Sequence, residues 1–204
     1  HGVGPEMKCR GLSFRDEDDA YEFFRQREID EMLDWPLMKE NILEEDARAL
    51  IKFLWPADVP RLTNGSEVRA FEQEFAQWQG SKYAVMVNSG ASANLITLQA
   101  LRIIGGPGRV LVPCITWVSD IAAVLHAGLE PVFVDVDPYT LGMDWTKAAG
   151  RDALAAFPTH CLGFNALPDS GARSKIEAPI LIEDCCEALG ATQGDAKLGT
   201  FGLM

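Results

Sequence analysis

Short apolar runs recur along this chain, at residues 83–87, Arg109–Pro113, 131–136, 153–157 and 180–182, and segments of helical periodicity or turn residues separate them. Runs of that length bounded by turns read as buried strands. Strands that alternate with helices need crossover connections, and crossovers build a parallel sheet with helices on its faces. The expected fold class is therefore α/β, a mostly parallel sheet with helices on both faces. With 204 residues, 48% of them apolar, the chain can fill one such core and carry a small appendage.

The segment over residues 14–35 is densely charged, with Tyr21, Phe24, Ile29 and Leu33 at helical spacing, and reads as an amphipathic helix. It is expected to form a separate N-terminal helical extension over residues 1–34, with the main domain over 35–204. Within that domain, helices are expected over residues 44–54, 67–79, from Gly90 to about 104, from Ser119 to His126 and over 144–150. Ser119 and Asp120 are suited to cap the fourth of these. The glycine cluster at 105–108 precedes a strand, whereas dinucleotide-binding glycines follow one and open a helix, so it reads as a loop.

The order of elements points to one crevice. Residues 83–87 break at Asn88-Ser89-Gly90 into a helix-forming segment, giving strand, turn and helix N-terminus. Such a terminus offers unpaired backbone N–H groups and a positive dipole end, which suits an anion such as a phosphate. Taken on its own, this stretch is better explained as an ordinary turn with Ser89 as a helix cap. At residues 180–182 a second apolar run ends in Glu183-Asp184, and ligand crevices in open α/β sheets lie at the carboxyl ends of strands. Ser89-Gly90-Ala91, Thr116-Trp117, His160, Asp184 and Glu187 are expected around it. A phosphate site, a flat aromatic and a carboxylate at a strand end together suit a phosphorylated pyridine cofactor, whose ring nitrogen the carboxylate would keep protonated.

Composition narrows the alternatives. A net charge of −12 argues against nucleic acid or an anionic membrane as the main partner. No apolar run reaches the roughly twenty residues needed to span a bilayer, and the first residues lack a signal-peptide layout, so a cytoplasmic location is expected. Five cysteines without paired CxxC spacing read as reduced thiols, and no metal site is expected. The vicinal Cys185 and Cys186 are read as packing residues, with soft-metal binding or oxidant sensing as the alternative.

Five stretches then carry a family resemblance: RLTNGSEVRAFEQEFAQWQGSKYAVMVNSGASAN, PCITWVSD, PVFVDVDPYTLGMD, THCLGF, and EDCCEALGA followed by LGTFG. In this order and spacing they resemble the DegT/DnrJ/StrS family of sugar aminotransferases, fold type I pyridoxal phosphate enzymes. The resemblance covers Trp35 to the end of the sequence and implies that this is the N-terminal part of the cofactor-binding large domain. It implies Gly90, Ala91 and Ser92 at the cofactor phosphate, Trp117 stacked on the pyridine ring and Asp184 at its nitrogen. His160 and Glu187 are implied as catalytic residues, with Glu187 also close to the cofactor. The family more often carries glutamine at the position of Glu187, and an acidic residue there is similar to the sugar-nucleotide 3-dehydrase branch, which uses pyridoxamine phosphate. His160 sits in a loose match to the family's HLYG-like segment.

The resemblance implies an enzyme that uses pyridoxal 5′-phosphate, or pyridoxamine 5′-phosphate, on a keto-sugar nucleotide. An amino acid such as glutamate would donate the amino group, and the full-length protein would be a homodimer. The Schiff-base lysine of the family, or the histidine that replaces it in the dehydrase branch, is expected beyond Met204. Lys82, Lys147, Lys175 and Lys197 do not match its place. A truncated, non-catalytic cofactor-binding remnant is the alternative from a different class.

Overall fold

The computed structural model describes residues 7–9, 12–14, 43–54, 61–167 and 180–202. It divides into two compact units, residues 1–60 and 61–204. In the first, β1 (Met7–Cys9) and β2 (Leu12–Phe14) pair antiparallel, with Met7 opposite Phe14 and Cys9 opposite Leu12. Helix α1 (Glu44–Leu54) opens with three acidic residues and has Lys52 in its last turn, the charge order that complements a helix dipole. The Leu43 N–H donates to Asp46 Oδ2 at 2.8 Å, which satisfies one of the free donors at the start of that helix. The start of the extension expected to be helical over residues 1–34 is instead the β1–β2 pair, which includes Phe14; the rest of the helix expected over residues 14–35, and the expected boundary at residues 34 and 35, lie outside the described residues.

The second unit is built on a parallel sheet. Strand β3 (Arg109–Pro113) is flanked by β4 (Glu130–Val134) and β5 (Ala155–Ala156), and β5 pairs in turn with β6 (Ile180–Leu181), giving the order β4-β3-β5-β6. Helix α2 (Ser66–Gln79) precedes α3 (Gly90–Gly105); α4 (Val118–His126) carries the chain from β3 to β4, and the short α5 (Trp145–Ala148) lies between β4 and β5. A hairpin of β7 (Thr192–Gln193) and β8 (Ala196–Lys197) follows.

Two cores account for the apolar runs. Because side chains alternate along a strand, Val110 and Val112 of β3 pack on one face with Leu98 and Leu101 of α3, Val124 of α4, Phe157 and Ile182. Leu111 faces the other way, with Val134, Met143, Ala148 and Ala156. Both faces of β3 are therefore covered, as a near-continuous apolar strand requires. Each fully buried Leu or Val contributes roughly 1.5–3 kcal/mol by leaving water.

Several expected elements shift. Residues 83–87 form no strand among the described residues. Tyr83, Val85 and Met86 are exposed, and the Met86 N–H donates to Glu72 Oε1 at 2.8 Å rather than to a neighbouring strand. An apolar, β-branched run favours extended backbone, but a strand exists only where a partner ladder meets it. The run at 131–136 starts one residue earlier and ends at Val134, after which Val136 makes only an isolated bridge to Met143. Asp144 caps α5 by accepting from the Thr146 N–H at 3.0 Å. Helix α4 begins at Val118 with Trp117 at the cap position, so Ser119 and Asp120 fall inside the first turn and do not cap it.

Candidate functional site

Four segments deliver their ends to one place. Helix α3 begins at Gly90, the chain leaves β3 through Thr116 and Trp117, β5 continues to Thr159, and β6 continues to Asp184. The parallel pairing extends past the regular strands, since Thr159 bridges Asp184 and the His160 N–H donates to the Asp184 carbonyl at 3.0 Å. A cavity of about 610 Å³ opens there, lined among others by Ser89, Gly90, Ala91, Thr116, Trp117, Asp184, Cys186 and Glu187. That volume falls in the range of small-molecule sites.

The floor is a polar cluster in an otherwise apolar neighbourhood. Asp184 and Asp120 are buried. The Asn94 amide donates from Nδ2 to Asp120 Oδ1 at 2.8 Å and to Asp184 Oδ2 at 2.9 Å, while the Cys186 N–H donates to Asp184 Oδ1 at 2.9 Å. Both oxygens of Asp184 are thereby held by N–H donors. Thr116 Oγ1 donates to Asp120 Oδ2, and Thr159 Oγ1 lies 3.0 Å from the same oxygen. Burial pushes the Asp120 carboxyl above the usual carboxylate range; the Thr116 hydroxyl works against this, and the Asp184 charge beside it adds to it.

The N-terminal wall is α3. Ser89 Oγ accepts from the Ser92 N–H at 3.2 Å, a helix cap in the ordinary sense. A methyl added at Gly90 would lie 3.0 Å from Cys186 Sγ, so α3 packs tightly against the turn after β6 at this glycine. Trp117 is 68% exposed and leaves its ring open to the cavity. Glu187 accepts from the Leu162 N–H at 2.6 Å and so ties the turn at Cys161–Gly163 to the cavity wall.

Of the residues expected at the site, Gly90, Ala91, Trp117, Asp184 and Glu187 line the cavity together. Ser92 lies in the same helical turn but does not line it, and its N–H is already taken by Ser89. His160 also stays out of the lining. It has no exposed surface, Nδ1 accepts from the Ala166 N–H at 3.0 Å, and Nε2 lies 3.2 Å from Glu183 Oε2. Asn94, Asp120 and Thr159 were not singled out from the sequence as site residues. Their one signal was polarity inside apolar segments, Asn94 within α3 and Asp120 within α4.

Glu183 is the second organising carboxylate. It accepts from the Gly199, Phe201 and Gly202 N–H groups at 2.9, 2.8 and 2.8 Å, as well as from His160. Burial alone would raise its carboxyl, but these donors outweigh it and hold the group below the usual range. His160, Glu183 and Cys185 place ligand-type atoms within 4.8 Å of one another, but the ring nitrogens and carboxylate oxygens are already engaged in hydrogen bonds. Burial, with the charges of Glu183 and Asp184 nearby, pushes the Cys185 thiol up to about 12, so it is no ready thiolate ligand. Among the described residues, no helix is long and apolar enough to cross a membrane.

Known proteins resemble this chain over most of its length. A GDP-4-keto-6-deoxy-D-mannose 3-dehydratase of Yersinia pseudotuberculosis is 33% identical over 184 residues, which is 85% of this chain and 46% of that protein. An L-glutamine:2-deoxy-scyllo-inosose aminotransferase of Streptomyces kanamyceticus is 31% identical over 175 residues, 83% of this chain and 40% of that protein. Among solved structures, a GDP-4-keto-6-deoxymannose-3-dehydratase with a trapped PLP-glutamate geminal diamine superposes with a TM-score of 0.72 at 34% identity, covering 83% of this chain and 45% of that one. The chain thus spans less than half the length of these relatives, and its sheet is the one found in fold type I pyridoxal phosphate enzymes. Residues 44–204 match the DegT/DnrJ/EryC1/StrS aminotransferase family, and with the strand-end cavity and its buried carboxylate in place, the chain belongs to that family.

Proposed function

We propose that this chain is the cofactor-binding part of a pyridoxal 5′-phosphate-dependent enzyme that acts on a keto-sugar nucleotide, with an amino acid such as glutamate as amino donor. The observation that carries the reading is Asp184, a buried carboxylate held through both oxygens at the end of β6, on a cavity walled by an open tryptophan ring and a helix N-terminus. The donor set fits the group. The first turn of α3 offers N–H groups and a positive dipole end to a phosphate, Trp117 offers a flat face, and Asp184 suits a protonated ring nitrogen.

When bound, the ring supplies an electron sink for carbanion chemistry next to it. The chain's own residues orient and shield. Asp184 would hold a proton at the ring nitrogen, Trp117 would keep water from one ring face, and Gly90 lets α3 come close enough to the turn after β6 to define the pocket. Glu187 holds the 161–163 turn at the cavity edge and is a candidate for moving a proton there. His160 would act indirectly, through Glu183 and the 199–202 backbone that Glu183 gathers. Among the described residues no lysine lines the cavity.

A second reading is a 3-dehydratase that uses pyridoxamine 5′-phosphate. The acidic side chain of Glu187 on the cavity wall favours it, and the 33% identity to a GDP-4-keto-6-deoxy-D-mannose 3-dehydratase supports it.

Titration of pyridoxal 5′-phosphate into the purified chain, followed by tryptophan fluorescence, is expected to give saturable quenching that Trp117→Ala largely removes. Tighter binding of the pyridoxamine form would favour the dehydratase reading. Absence of saturable binding of either form would overturn both.

A further inference from the structure

Asp120 has no assigned part in the reading above, yet it is a buried carboxylate held from several segments at once. It projects from the first turn of α4 with 1% of its surface exposed. Its oxygens take hydrogen bonds from side chains on three other segments: Asn94 of α3, Thr116 after β3 and Thr159 after β5. The same Asn94 nitrogen that reaches Asp120 also reaches Asp184, so the two carboxylate oxygens can be no farther apart than those two bonds laid end to end. Two buried carboxylates therefore share one neutral amide. The groups around them are Thr116, Thr159 and Ser119, the Cys186 thiol and, further along the wall, Glu187; among the described residues no cationic side chain lines the cavity.

Two carboxylates held this close in a buried site disfavour each other's ionisation, and a single proton shared between them relieves the repulsion. We propose that Asp120 is a positioning residue for Asp184, the two acids forming through Asn94 one buried pair that carries a single proton until a pyridine ring binds. The inference rests on the cofactor reading above. In the empty site the pair holds one proton and one negative charge. When a pyridinium nitrogen meets Asp184, the pair gives up that proton to the buffer, and both carboxylates then face one cation. No electrons change hands. The raised carboxyl of Asp120 is in keeping with this arrangement.

A merely structural Asp120 would make a different prediction. Asparagine at this position keeps the shape and its carbonyl can accept from both threonines, while its amide meets the Asn94 amide donor to donor, so Asp120→Asn is judged by its proton count rather than by its affinity. The experiment is calorimetric binding of pyridoxal 5′-phosphate at about pH 6, some two units above the ordinary aspartate value, in buffers of different ionisation enthalpy. Wild type is expected to release about one proton more per bound cofactor than Asp120→Asn, because only wild type brings a shared proton to the complex. Equal proton counts would overturn the role of Asp120 while leaving the cofactor reading intact.

A second arm needs no ligand. Infrared spectra of the empty chain at the same pH should show a protonated-carboxyl band that both Asp120→Asn and Asp184→Asn remove. A wild-type chain without that band sinks the proposal, even if Asp120→Asn does not fold. If the band is present but wild type binds no cofactor, the cofactor reading fails, and with it the assignment of Asp120 to cofactor positioning.

Discussion

His160 Nε2 lies 3.2 Å from Glu183 Oε2, and neither side chain has any exposed surface. Because Nδ1 accepts from the Ala166 N–H, the network assigns the ring proton to Nε2, where it is donated to the carboxylate. Glu183 in turn collects three backbone N–H groups from residues 199–202. A histidine expected among the catalytic residues thus joins the network that fastens the last described turn onto the sheet.

Removing the acceptor should therefore unfold more than it disables. Glu183→Ala leaves three backbone donors and an imidazole N–H without a partner, and is expected to cost about 3–5 kcal/mol in denaturant unfolding. His160→Ala should cost less, because Glu183 keeps its three backbone donors. The pH dependence follows from the direction of the shift. The Glu183 carboxyl is held below its ordinary value of 4.5 in the folded chain, so its contribution is present above that value and is lost as pH falls through the folded one. Glu183→Gln should flatten the acid limb of a plot of unfolding midpoint against pH. An unchanged acid limb would contradict this assignment.

Asp184→Asn should separate binding from stability. Asparagine can still accept from Asn94 or the Cys186 N–H, so the unfolding midpoint should move little. The lost charge should weaken pyridoxal 5′-phosphate binding by about 1.5–3 kcal/mol, roughly ten- to a hundredfold in Kd. The check is a pair of absorbance titrations beside a thermal melt, and equal affinities for the two proteins would count against Asp184 as the ring's partner.

The contact between Gly90 and Cys186 predicts a compensating pair. Gly90→Ala pushes a methyl to 3.0 Å from Sγ and should cost about 1–2 kcal/mol through overpacking. Adding Cys186→Ala removes the obstructing sulfur and should recover much of the loss. A double-mutant cycle measures the coupling, and strict additivity would show that the two residues do not press on each other.

The thiols should differ in reactivity. Burial, with the charges of Glu183 and Asp184 nearby, pushes Cys185 up to about 12, and burial, with Asp184 beside it, pushes Cys186 up to about 11, so both stay protonated near neutrality. Cys114 is exposed. Alkylation followed by mass spectrometry should label Cys114 well before the vicinal pair, and rapid labelling of Cys185 would show that its surroundings are more open than described.

Where the site lies was legible in the sequence because strand ends and helix starts are local events. The break at Asn88-Ser89-Gly90, the Thr116-Trp117 corner and the carboxylates after 180–182 were each marked by a change of residue type, and all three meet at the cavity. The same reasoning misplaced Asp120. As a short acidic residue near the start of an apolar helix it reads as a cap, but one register shift of α4 turns it inward onto Asn94. Residues 83–87 illustrate a second limit. Their β-branched character favours extended backbone, and nothing within the segment says whether another strand will pair with it.

What the sequence by itself determined is the order of elements, the parallel sheet and the family, because periodicity, turn residues and motif spacing are properties of the chain read end to end. Only the tertiary structure decided which acid does what. Glu183 and Asp184 are adjacent in sequence and chemically alike, yet alternation along the strand end sends one into a cage of backbone donors with His160 and the other onto the cavity floor beside Asp120. A carboxylate's role depends on its burial, its donors and the nearest like charge, and those are set by residues far away along the chain.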